Sequence, residues 1–116
     1  MKYTRIYTGA DGKAYFEDVE LTTARLAPGQ PGFQTIPAGC LFFRETARGK
    51  DEDFHNPANR QFLITIGGEV DIIASGGMTR RFGPGDIFLA DNLTGQGHIT
   101  RVVEGNLWRV VFVRLD

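Results

Sequence analysis

Apolar residues fall along this chain in short runs, separated by turn residues, and alternate with a period of two. Residues 14–21 place Tyr15, Phe16 and Val19 among acids, directly after the turn Gly9-Ala10-Asp11-Gly12. Runs at 32–36 and 41–44 follow, each preceded by a Pro-Gly or Gly-Cys break. Residues 61–66 are strongly β-prone and end at Gly67-Gly68. Residues 69–74 and 78–82 flank Ser75-Gly76-Gly77, a sequence suited to a tight hairpin turn. Further runs occupy 87–90, 98–103 and 107–115, with Glu104-Gly105-Asn106 between the last two. No capped helical stripe of useful length is present. The pattern predicts an all-β domain, a sandwich or a barrel.

The run Phe62-Leu63-Ile64-Thr65-Ile66 is apolar on both faces, so it predicts a strand covered on both sides. One face is expected to look into the barrel and the other onto a second element or a partner subunit. Residues 48–60 form the one polar stretch of loop length, with Lys50-Asp51-Glu52-Asp53 leading into His55. Gly83-Pro84-Gly85-Asp86 reads as a turn before a strand. It does not precede a helix bearing Lys-Ser or Lys-Thr, so it is no phosphate loop.

Composition narrows the class. At 116 residues and 41% hydrophobic content, one domain with its own core is expected, and neither disorder nor a stapled mini-fold. The 15 glycines match a chain of many tight turns. A formal charge of -1 lacks the basic excess of a nucleic-acid binder. No run is long enough to span a bilayer, and residues 1–5 carry no apolar signal segment, so a cytoplasmic protein is expected. The single Cys40 has no intramolecular partner, which fits a reducing compartment. Its place before Leu41-Phe42-Phe43 predicts a small buried side chain. Ser75 is the only serine and lies in a turn outside any Gly-x-Ser-x-Gly, so serine-hydrolase chemistry is excluded.

Two stretches carry a resemblance. Residues 55–68 resemble the first motif of the cupin superfamily: His55 takes the first position, and Gly68 follows Gln61 after six residues. Pro57 stands where the second His is usual, and Gln61 where Glu is usual. Residues 85–102 resemble the second motif through Gly85 and the ending Gly95-Gln96-Gly97-His98. Leu93 replaces a Pro, two extra residues follow Gly85, and Val102 replaces an Asn. The chain therefore resembles a small single-domain cupin, with residues 1–40 supplying N-terminal strands. The resemblance implies an all-β double-stranded β-helix, a jelly-roll barrel.

It also implies a pocket holding His55, Gln61 and His98. By strand alternation Leu63 and Thr65 should share the face of Gln61, and Thr100 and Val102 that of His98. The expected catalytic residues are His55 and His98, and the expected ligand-binding residues are Gln61, Leu63, Thr65 and Thr100. Trp108 is expected in core packing rather than at the pocket mouth. Arg60, by alternation, should point away from Gln61 as a solvated charge.

Metal-binding cupins use three His and one Glu. This chain keeps two His and lacks the anionic ligand, so no cofactor is implied outright. A divalent metal, if bound, would sit on His55, Gln61 and His98, with Asp91 as the acid able to reach in.

Two imidazoles in a partly dry cavity suit proton transfer to and from a small substrate. The expected function is a small-molecule-binding cupin, an enzyme of isomerase or lyase type acting on a small polar metabolite by isomerisation, elimination or cyclisation. The alternatives are a non-catalytic binding or sensor protein and a metal-dependent oxygenase. A homodimer is expected, with neither nucleic acid nor membrane as partner.

Overall fold

The computed structural model describes residues 1–21, 29, 32, 34–47 and 53–115. The described residues form nine strands: β1 (Lys2–Thr8), β2 (Ala14–Glu20), β3 (Cys40–Thr46), β4 (Gln61–Gly67), β5 (Val70–Ala74), β6 (Thr79–Phe82), β7 (Ile87–Ala90), β8 (His98–Val102) and β9 (Trp108–Arg114). No helix occurs among the described residues, and none is therefore long and apolar enough to cross a membrane. The all-β expectation holds.

The strands form two sheets, a six-stranded one in the order β2-β1-β7-β4-β9-β3 and a three-stranded one in the order β6-β5-β8. Every neighbouring pair is antiparallel except β1 with β7. The turns expected at Gly9–Gly12 and Ser75–Gly77 are the β1–β2 and β5–β6 hairpins. From β4 onward, every connection except the β5–β6 hairpin carries the chain from one sheet to the other. Gly68 makes the first of these crossings at a φ of 72°, and a Cβ there would occupy the space of the Leu107 carbonyl. Only glycine satisfies both conditions.

Period-two alternation builds the core between the sheets. Leu63 of β4, Phe88 of β7 and Val110 and Phe112 of β9 meet Val70, Ile72 and Ala74 of β5. Thr65 and Trp108 are buried among them, and the Trp108 indole N–H donates to the Thr65 hydroxyl at 3.1 Å. A smaller cluster of Phe62, Leu89 and Leu115 sits on the outer face of the large sheet, with Tyr3 and Ile36 packed against it. Both faces of β4 are thus apolar because both bear a cluster, although Ile66 at its end is 57% exposed.

Several details differ from the expectation. Strand β1 lies outside the runs read from the sequence, because Ile6 is its one fully buried residue. Residues 34–36 are irregular rather than a strand, though Ile36 still covers the outer cluster. Cys40 is exposed, not buried: it opens an edge strand in which Phe42 is the one apolar residue packed against the core, and Leu41 and Phe43 face outward at 56% and 72% exposure. Part of the polar loop expected at 48–60, namely 48–52, lies outside the described residues.

Candidate functional site

A cavity of about 220 Å³ opens between the two sheets. The large sheet contributes Gln61 and Leu63 from β4, Phe88 and Ala90 from β7, and Trp108 and Phe112 from β9. His98 and Thr100 of β8 come from the small sheet, and Arg44 and Thr46 from the edge strand β3. The segment 55–58 closes one side with His55, Asn56, Pro57 and Ala58.

The two histidines meet here. Their backbones exchange hydrogen bonds, His55 N–H to His98 O at 3.0 Å and His98 N–H to His55 O at 2.9 Å, and their ring centroids lie 4.7 Å apart. Gly97 permits this pairing. Its φ is 83°, and a Cβ would collide with the His55 backbone. The Asn56 amide reinforces it, donating to the backbone oxygens of Asn92 at 2.8 Å and Thr94 at 3.0 Å.

His98 is the buried partner, with 3% exposure, and His55 is half-buried. Burial, with the neighbouring His55 ring adding to it, lowers the His98 pKa to about 4, so the ring is neutral at physiological pH. Its Nδ1 lies 3.0 Å from the Asn92 Oδ1. An amide oxygen can only accept, so the ring proton belongs on Nδ1 and Nε2 carries the lone pair. Asn92 is fully buried, and its Nδ2 has no hydrogen-bond partner among the described residues.

Most of the sequence-derived set converges. His55, Gln61, Leu63, His98 and Thr100 all line the cavity. Thr65 does not: it lies beneath the lining with its hydroxyl engaged by Trp108, one strand position short of the bulge between Thr65 and Gly67. Trp108 belongs to the core and to the cavity wall at once. Asp91 turns away, its carboxylate held by Arg5 at 2.7 Å and Arg60 at 3.0 Å. Arg60 is the outward charge expected of it.

Four residues escaped the sequence reading: Arg44, Thr46, Asn56 and Asn92. Arg44 and Thr46 share the inward face of β3 with Phe42 by alternation, a signal visible in Phe42-Phe43-Arg44-Glu45-Thr46. Asn92 sits in the irregular stretch between β7 and β8, where no period points to it.

A metal fits this set poorly. Two imidazoles and a neutral amide supply no anionic ligand, and Asp91 is committed to two arginines. Among the described residues no three His, Cys, Asp or Glu side chains gather to hold an ion.

No family model matches the chain, and no curated protein matches it.

Proposed function

We propose that the chain is a small cupin, a jelly roll whose inter-sheet cavity binds a small polar metabolite. The observation that carries this reading is the convergence of both histidines, from two motif-like stretches far apart in sequence, in one cavity through a reciprocal backbone bridge. Polar groups are few and convergent in an otherwise apolar wall, as binding cavities require. In this reading His98 accepts a hydrogen bond from the ligand through Nε2, and Gln61 and Thr100 fix orientation.

Acid-base turnover passes through His55, the more exposed ring. A group with a pKa of about 4, like His98, is too weak a base to work efficiently near neutral pH. That same value favours the second reading, a non-catalytic binding or sensor protein. The test is NMR of protein labelled in its imidazole nitrogens, titrated with pooled polar metabolites. Binding in the cavity shifts the signals of both rings; ligands that bind while leaving both rings unmoved refute the assignment.

We also propose that two copies pair through the outer face of the large sheet. Two apolar rows cross it in register, Leu41–Val113–Phe62 and Phe43–Val111–Ile64. The chain's own Tyr3 and Ile36 cover Phe62, while Leu41, Phe43 and Ile66 remain largely exposed on this face, and exposed apolar residues grouped on one face mark an association surface.

A further inference from the structure

Resting on the reading of this cavity as a binding site, we infer that its ligand is a small hydroxy-carboxylate anion, held by Arg44 at one end and by His98 at the other. Charge bookkeeping in the wall carries the inference. Arg44 is half-buried and points inward from β3, where it stands opposite Val110. It is the one formally charged side chain among the described residues lining the cavity, and none of the described lining residues is an acid. Among the described acids, Glu45 is paired with Arg109 at 3.0 Å, and Asp91 with Arg5 and Arg60. A guanidinium in a partly dry wall with no carboxylate partner among the described residues is half of an ion pair. Its planar fork matches a carboxylate bidentately.

The other end of the ligand follows from His98. With Asn92 Oδ1 taking the Nδ1 proton, Nε2 is left as an acceptor, and an acceptor calls for an O–H or N–H on the ligand. An ammonium group would bring a second charge with no acid in the wall to balance it, so a hydroxyl fits and an amino acid does not. Leu63, Phe88 and Phe112 leave an apolar wall for a short carbon chain. At about 220 Å³ the cavity is smaller than the roughly 300–1,000 Å³ of sites for drug-sized ligands, which sets the scale at a small metabolite.

Trp108 is the only tryptophan and lines the cavity, so its fluorescence reports occupancy directly. The experiment titrates the full chain and the Arg44→Gln variant with short-chain 2-hydroxy monocarboxylates, their amides and the matching 2-amino acids. The unfolding midpoint of Arg44→Gln is measured alongside, and little change is expected because the side chain leaves no partner behind. The expected result is that the hydroxy acid binds at least about tenfold more tightly than its amide, as a charge-assisted pair implies, and more tightly than the amino acid, whose ammonium meets no acid in the described wall. Arg44→Gln then binds acid and amide alike. If wild type binds acid and amide equally and Arg44→Gln changes nothing, the anion inference falls and the binding cavity stands. If no compound of any class moves the Trp108 signal or the His98 ring resonances, the inference and the cavity reading fall together.

Discussion

Lowering the pH from 7 towards 4 should destabilise this protein through His98. The ring is buried, and its pKa in the native state is about 4, against 6.5 for an unhindered imidazole. The unfolded chain therefore binds a proton that the native state refuses. The stabilisation this gives the native state is complete above pH 6.5 and is lost progressively as the pH falls towards 4. At about 1.4 kcal/mol per unit, the difference amounts to about 3 kcal/mol, a large share of the roughly 5–15 kcal/mol available to a domain. The carboxylates held below their usual range, Asp11 beside Tyr15 and Asp18 beside Arg80, lose their own contribution only below about 3.8, outside this window. Urea unfolding between pH 7 and pH 4.5 measures the slope. His98→Gln, which cannot titrate, should flatten it. A wild-type slope equal to that of the variant, or a His98 resonance titrating near 6.5, would refute the argument that burial dominates this ring.

Three further outcomes follow from the site. Gly97→Ala places a side chain at a positive φ and against the His55 backbone, so it should cost about 1–3 kcal/mol in backbone strain alone and more from the lost bridge; denaturant midpoints and the His55 amide exchange rate check it. His98→Ala leaves the Asn92 oxygen buried without its partner and should cost about 1–3 kcal/mol, whereas half-buried His55→Ala should cost no more than about 1 kcal/mol; equal losses in thermal unfolding would contradict the asymmetry. Phe43→Lys puts a charge on the outer apolar face and should convert a dimer of the 12.9 kDa chain into monomers; sedimentation that gives the same mass for both proteins would count against pairing there.

Where the sequence was legible, alternation made it so. In Gln61-Phe62-Leu63-Ile64-Thr65 a short β-prone run ends at Gly67-Gly68, and period two assigns Gln61, Leu63 and Thr65 to one face, so β4 could be placed. Strand β1 could not. Its sequence Lys-Tyr-Thr-Arg-Ile-Tyr-Thr buries only Ile6 and is held as a strand by pairing with β2 and, distantly, with β7. His55 and His98 were found because motif spacing flagged them. Asn92 was hidden because a buried amide matters through the single atom it faces, and that atom is brought near by the turn before β8 rather than by any period. Arg44 drew no reading as the end of the run 41–44, and pairing with β9 shows which face it occupies. Cys40 misled through its apolar neighbours, which turn to opposite faces of an exposed edge.

The parallel pairing of β1 with β7 has a kinetic consequence. Thr4 stands opposite Phe88, and Cys40 opposite Arg114, so β1 and the edge strand β3 find these partners across most of the chain. Loop closure over such distances is entropically costly before any contact rewards it, and domains dominated by non-local pairing fold in roughly milliseconds to seconds. The cavity draws on β3, β4, β7, β8 and β9 together, so no early hairpin contains it. Binding competence should therefore emerge in the last kinetic phase, after the β5–β6 hairpin has formed. A ligand that bridges the two sheets should slow unfolding while leaving the refolding rate almost unchanged.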